Sequence, residues 1–424
     1  MATNHADHAT DLADIQALDS AYVMHTFARR PVAFTHGHGA VLTASDGATY
    51  TDFLAGIATV SLGYDDPAVT AAIVEQAGKL VHVSNLYHVE HRGELAQALV
   101  ELFDGEDYIG DAHPPSESAP ARVFFSNSGA EANEAAIKLA RRWAKEHKPA
   151  ADTILTLLGS FHGRTLATVA ATGQPDRALP FAPVMPGFAH VPLNDVAALE
   201  AAIGSGQQTI AVMVEIIQGE SGVWPASAEY LGRLSELCAE TNTLLIVDEI
   251  QTGMYRTGAP FAYRHFGLSP DIVTSAKALA NGMPIGACIA ATHVADALKV
   301  GEHGSTFAGG PLVAAAALAT LRRYREMDAI EHVSALGAYL RDSLAGVSGI
   351  GQVRGAGLMV GFSLTDETLA TTDASSLATA LFEAGYLVNA IGERSIRLVP
   401  PFVIEKSHID GLVAALNAII NGNA

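Results

Sequence analysis

Between residues 123 and 290 the chain alternates short apolar runs with longer amphipathic stretches. The runs fall at 123–126, 153–158, 166–170, 210–215, 244–248, 272–275 and 285–290, bounded by turn formers. Runs of this length without polar alternation predict strands buried on both faces. The stretches 130–146 and 228–241 predict covering helices between them. Strands alternating with helices predict the α/β class, built on a mostly parallel sheet.

The flanks have a different pattern. Two strand-like runs, 40–43 and 49–53, are joined around Asp46-Gly47, a hairpin signal. Asp66-Pro67 opens a helix with Asp at the cap and Pro in the first turn, and Val69, Ile73 and Val74 follow at helical spacing. A further helix is predicted over 90–102, and the Gly-, Asp-, Pro- and Ser-rich stretch 104–120 predicts a surface loop. After Pro311 a helical region runs to about residue 347, broken near Asp328. Strands are then predicted at 353–364, 386–390 and 395–399, with helices at 374–384 and from 405 onwards. The expected organisation is an N-terminal segment (1–62) joined to a C-terminal α+β domain (311–424), around a large domain (63–310).

Composition narrows the function classes. A chain of 424 residues, 49% hydrophobic and 17% charged, can bury large cores. Its net charge of −20 argues against nucleic acid or an anionic membrane as partner. Cys238 and Cys288 are the only cysteines, so no disulfide framework is expected and a reducing, cytoplasmic setting fits. The polar, acidic start lacks the basic end and apolar core of a signal peptide, and no run reaches transmembrane length. Residues 1–15 read as a frayed polar tail, and His5 and His8 as part of it rather than as a metal site.

Candidate chemistry sits where two buried runs end. The run 244–247 ends in Asp248, and the run 271–276 ends at Lys277, 29 positions later. In open α/β sheets ligands collect at the C-terminal ends of strands. A Lys and a carboxylate held there match what pyridoxal 5′-phosphate requires: an amine to bond its aldehyde carbon, and an anion to keep its ring nitrogen protonated. On this stretch alone, a loop-capping Asp and a solvated Lys fit equally well.

The ordered set Asn127-Ser128-Gly129-Ala130-Glu131-Ala132-Asn133, Phe161-His162-Gly163-Arg164-Thr165, Glu215-Ile216-Ile217-Gln218-Gly219-Glu220, Asp248-Glu249-Ile250-Gln251-Thr252-Gly253, Lys277 and Gly304-Ser305-Thr306-Phe307 decides between them. In order and spacing it resembles the class III aminotransferases, over nearly the whole chain from about Tyr22 to Ile420. The resemblance implies fold type I of the pyridoxal-phosphate enzymes and a homodimer with its sites at the interface. Within the class it is nearest to members that move the terminal amine of N-acetylornithine to 2-oxoglutarate. Members acting on ornithine, succinylornithine or 4-aminobutyrate share nearly the same site, and a cofactor-binding protein without turnover is the remote alternative.

The resemblance also assigns roles. Lys277 would carry the cofactor and move the proton, and Asp248 would face the ring nitrogen. Ser128, Gly129 and Ala130 would hold the phosphate at a helix start, with Ala130 lacking the hydroxyl of the Thr that many relatives carry. Phe161 and Ile250 would flank the ring, and Gln251 would bond its phenolic oxygen. Ser305 and Thr306 would reach the neighbouring subunit's phosphate, although Ala308-Gly309-Gly310-Pro311 departs from the usual Gly-Gly-Asn-Pro. Arg164 would bind a substrate carboxylate, Phe27 would contact the donor, and Glu220 would mask Arg397, the α-carboxylate arginine.

Overall fold

A computed structural model describes residues 11–105, 119–204 and 206–422. His5, His8 and most of the loop expected at 104–120 lie outside the described residues.

The buried runs assemble into one seven-stranded sheet. From edge to edge its strands are Ala121–Ser126, Gly286–Ala291, Ile272–Ser275, Leu244–Asp248, Thr209–Val214, Thr153–Leu157 and Phe188–Val191. Gly286–Ala291 runs antiparallel to both neighbours, and every other pairing is parallel. All six residues of Thr209–Val214 and all five of Leu244–Asp248 are buried, as strands covered on both faces must be. Helix Gly129–His147 packs Ile137, Leu139, Ala140 and Trp143 against one face, while Ala228–Glu240 turns Tyr230, Leu231 and Leu234 to the other. The mostly parallel α/β class read from the pattern is the observed one.

There are two four-stranded sheets besides, the first of which joins the chain's ends. The hairpin strands Val41–Ala44 and Thr49–Asp52, with Phe34–His38 outside them, accept Tyr386–Leu387 as a parallel fourth strand. The other small sheet runs Ile350–Ala356, Met359–Leu364, Ser395–Leu398, Asn389–Ile391, all antiparallel.

Four readings of the pattern are corrected. Residues 166–170, read as a strand, form the helix Leu166–Ala171, because Thr165 and Thr168 close a capping box at its start. The single strand expected over 353–364 is two strands folded back on each other at Gly357 (φ 51°). The strand expected at 386–390 divides at Val388 and serves both small sheets. The polar start is not frayed throughout, since Asp11 caps a helix over Leu12–Tyr22, although that helix buries no residue.

One local feature has no pattern signal. Ala55, Gly56, Ile57 and Ala58 all have positive φ (49°, 62°, 62° and 62°), forming a left-handed turn. Three of the four carry a Cβ, so the turn is strained and must be held by its surroundings. It delivers Thr59 to the rim of the cavity described next.

Candidate active site

A cavity of about 370 Å³ opens at the C-terminal ends of the central strands. Its wall includes Ser128, Gly129, Ala130, Phe161, His162, Glu215, Asp248, Ile250, Gln251 and Lys277. Residues from five separate motifs thus meet because parallel strands end on the same edge of the sheet.

Asp248 is the most tightly held of them. Only 4% exposed, it accepts hydrogen bonds on Oδ2 from His162 Nδ1 (2.8 Å) and Asn133 Nδ2 (2.8 Å), and on Oδ1 from the Ile250 backbone N–H (3.0 Å). Asn133 is fixed in turn, donating to His162 O (2.7 Å) and accepting from Thr274 Oγ1 (2.7 Å). Three donors on this buried carboxylate leave one lone pair on Oδ1.

Lys277 follows strand Ile272–Ser275 and begins a short 3₁₀ turn with φ 36°, a conformation uncommon outside glycine. Burial, and then the nearby charge of Arg397, lower its ammonium to about 8 against the pull of Glu220, Asp248 and Glu215. About a tenth of this amine is therefore neutral, and nucleophilic, at pH 7, far more than for an ordinary lysine. Burial and the charge of Asp248 push Glu215 well above the usual carboxylate range, and its Oε2 accepts from the Phe161 N–H at 2.8 Å.

Ser128 caps helix Gly129–His147, its Oγ accepting from the Glu131 N–H, so the free N–H groups of the first turn face the cavity mouth. Ile250 lies so close to Gly129 that a Cβ there would stand 2.8 Å from its side chain. Phe161 has the guanidinium carbons of Arg164 and Arg177 at 5.5 and 5.4 Å from its ring centre.

Beside this cavity, Arg397 is 1% exposed and donates through Nη1 to Glu220 Oε1 (2.5 Å), Gly219 O (3.2 Å) and Gln251 Oε1 (3.3 Å). Its Nη2 donates to Asn389 Oδ1 at 2.7 Å. Burial pushes the Glu220 carboxyl up, but the charge and hydrogen bond of Arg397 outweigh it and hold the group low.

Three of the sequence-derived residues stand apart. Phe27 is 75% exposed and lies in a separate groove with Leu12, Phe34 and Phe382. Ser305 accepts from Asn127 Nδ2 of its own chain through Oγ (2.9 Å), and Thr306 is exposed. Sequence reading gave no role to His162, Asn133, Thr274, Glu215 or Arg177. His162, Asn133 and Glu215 lie inside the motifs, and a buried Asp beside a His and an Asn would have been the signal to seek.

The class-III aminotransferase family model matches residues 23–420. The chain is a class-III aminotransferase. An acetylornithine aminotransferase of Mycobacterium tuberculosis is 43% identical over 415 residues, covering 97% of this chain and 98% of the relative. Among solved structures, an N-acetylornithine aminotransferase of Stenotrophomonas maltophilia is 36% identical with TM-score 0.79, covering 96% and 98% of the two chains. An ornithine aminotransferase of Toxoplasma gondii, described with partial occupancy of pyridoxal phosphate at its active site, is 33% identical with TM-score 0.88, covering 98% and 95%.

Class-III aminotransferases depend on pyridoxal phosphate, and the donor set here fits that group. A helix start suited to an anion, an aromatic wall at Phe161, a carboxylate acceptor with one lone pair left and an amine with a lowered pKa surround one cavity.

Proposed function

We propose that this aminotransferase moves the terminal amine of N-acetylornithine to 2-oxoglutarate, yielding N-acetylglutamate semialdehyde and glutamate, as a cytoplasmic step of arginine biosynthesis. Bound pyridoxal phosphate would supply an electron sink for the carbanion formed at the amine-bearing carbon. Ser128, Gly129 and Ala130 would hold its phosphate, Phe161 and Ile250 would flank its ring, Gln251 would bond its phenolic oxygen, and Asp248 would keep its ring nitrogen protonated, all from the wall of one cavity. Lys277 Nζ, in the wall of that cavity, would hold the cofactor and would move the proton at the donor's terminal carbon.

The observation that carries the terminal-amine reading is the 2.5 Å pair of Glu220 and Arg397 beside the Lys277 cavity. An open arginine near the reacting carbon would favour α-amino acids. With Glu220 on it, Arg397 is neutralised and a carbon bearing no carboxylate can approach. The Glu220 side chain is 22% exposed while Arg397 is enclosed, so the acid is the partner free to leave when glutamate or 2-oxoglutarate brings its own carboxylate. Coulomb gain and desolvation cost nearly cancel in such pairs, which makes exchange feasible. Arg164, at the cavity rim, binds the remote carboxylate of either substrate.

A homodimer belongs to this reading. Leu86 (86% exposed) and Phe307 (67% exposed) lie on one face, where Asn85 Nδ2 donates to Ser305 O at 2.8 Å and His82 packs on Phe307. An exposed apolar patch of this kind supports a partner surface there, with Ser305 and Thr306 presented to it. Likeness to the acetylornithine relatives supports the acetylated donor. The test is a donor panel with 2-oxoglutarate as common acceptor. N-acetylornithine should give the highest kcat/KM; a higher value for ornithine or 4-aminobutyrate would reassign the substrate.

A further inference from the structure

The strands Ile217–Gln218 and Trp224–Pro225 form a small hairpin whose turn, residues 219–223, carries Glu220. Two guanidinium groups grip this turn from the small sheet. Arg397 holds its first half, through Gly219 O and the Glu220 carboxylate. Arg354 holds its second half, Nε donating to Gly222 O at 2.7 Å with the guanidinium 3.8 Å from the centre of the Trp224 ring.

The two arginines belong to one row of the sheet. Arg354 is paired with Gly361, Gly361 with Arg397, and Arg397 with Asn389, so their side chains stand on the same face. Gly361 leaves the gap between them into which the turn drops. A Cβ at Gly361 would stand 2.7 Å from Val223 Cβ and 2.8 Å from Gly222 O. Arg354 is itself locked to the sheet, donating to Ser363 Oγ (2.7 Å), Ser395 Oγ (2.9 Å) and Gln352 O (3.3 Å). Ser395 lies on the same strand as Arg397.

We infer that Arg354, working with Gly361, is a positioning residue that holds the 219–223 turn at the depth where Glu220 meets Arg397. This rests on the masking role proposed above for Glu220. Arg354 is 5% exposed, and the bonds above are to carbonyl and hydroxyl oxygens rather than to a carboxylate. A buried charge held that way is a poor staple for stability alone, since an apolar side chain could cover Trp224 at lower desolvation cost. What only the planar fork provides is simultaneous fixing of Gly222 O and Ser395, one on the turn and one on the strand of Arg397. Loosening that fork lets Glu220 drift from Arg397 and leaves the arginine open to α-carboxylates.

The test uses the holoenzyme and compares Arg354→Lys, Gly361→Ala, Glu220→Ala and the Arg354→Lys/Glu220→Ala double variant. Single-turnover rates are measured separately with N-acetylornithine and with glutamate, and glutarate affinity is measured by calorimetry. Arg354→Lys should shift the rate ratio toward glutamate by about tenfold, the scale of a lost charged hydrogen bond. Gly361→Ala should shift it the same way, and each variant should bind glutarate more tightly. With Glu220 already Ala, Arg354→Lys should leave the ratio unchanged, because the coupling between the two residues has been removed. If Glu220→Ala shifts the ratio but Arg354→Lys and Gly361→Ala lower both half-reactions in equal proportion, or alter neither, the positioning role is overturned. An unaltered ratio in Glu220→Ala would instead remove the mask itself, and the positioning role with it. Should Arg354→Lys fail to fold, the ratio measured for Gly361→Ala decides in the same way.

Discussion

Asp248 has four lone-pair positions and gives three to its own protein, through His162, Asn133 and the Ile250 N–H. That arrangement makes Asp248→Asn a sharper test than charge removal alone. Whichever way the amide is turned, its NH₂ faces a donor, so at least one of these bonds is lost, at about 1–3 kcal/mol. The charge that would face the cofactor nitrogen on the proposed reading also disappears. The expected outcome is a fall in kcat of roughly two orders of magnitude with a smaller loss of cofactor affinity, read by steady-state kinetics and cofactor titration. Equal kcat in the two proteins would make Asp248 structural. Lys277 gives a prediction in pH. Burial lowers its ammonium from the ordinary 10.5 to about 8, so the neutral amine appears as pH rises through about 8. Capture of pyridoxal phosphate by the cofactor-free protein should therefore accelerate between pH 7 and 9 with a midpoint near 8. The sign for stability follows: between about 8 and 10.5 the unfolded chain binds more protons at this Lys, so its contribution to folding grows with pH across that window. A capture midpoint near 10.5 would mean the amine is not perturbed.

At the scale of elements, the loop after strand Leu244–Asp248 is closed by a second buried acid. Glu249 is 0% exposed, accepting from Thr252 Oγ1 (2.5 Å) and from the Tyr263 N–H (2.9 Å). Burial pushes its carboxyl from the ordinary 4.5 up to about 7, against the pull of those bonds. Between these values the folded chain binds more protons than the unfolded one, so this group's contribution to stability falls as pH rises through the window. The whole effect is about 3 kcal/mol. Glu249→Gln keeps the bonding shape without the titration, so its melting temperature relative to the parent should rise from pH 5 to pH 8. A constant difference would show that Glu249 is ionised throughout. The elements themselves were legible where the pattern was long or capped by local chemistry: Asp66 at its helix start, Asp328 at the helix break, and the buried runs 244–248 and 272–275 all fall where the sequence puts them. The short run 166–170 was not, because five apolar or β-branched residues have no period long enough to separate strand from helix. Residues 386–390 misled for a different reason, since leaving one sheet for another at Val388 is decided by partners far away in sequence.

For the whole molecule, the sequence made visible which residues could do the chemistry but not what sets them in place. Asp248 and Lys277 are readable because strand ends and motif spacing are local properties. Arg354 facing the Glu220 turn and Tyr386–Leu387 completing the N-terminal sheet are long-range pairings with no local signal. The architecture explains why the site has two kinds of wall. The central sheet supplies fixed groups from its strand ends, whereas the small sheet supplies Arg397, held beside the cavity through Glu220, Gly219 O and the cavity residue Gln251. On the masking role proposed for Glu220, that division gives a rigid half for the cofactor and an adjustable half for unlike substrates. The most direct measurement is the fate of the donor nitrogen. N-acetylornithine labelled with ¹⁵N at its terminal amine should be incubated with the holoenzyme and 2-oxoglutarate, and the products read by mass spectrometry. The expected result is glutamate carrying the label, in equal amount to an aldehyde formed at the donor's terminal carbon, with none from Lys277→Ala. Unlabelled glutamate, labelled ammonia in its place, or equal label transfer by Lys277→Ala would contradict an amino transfer run by Lys277.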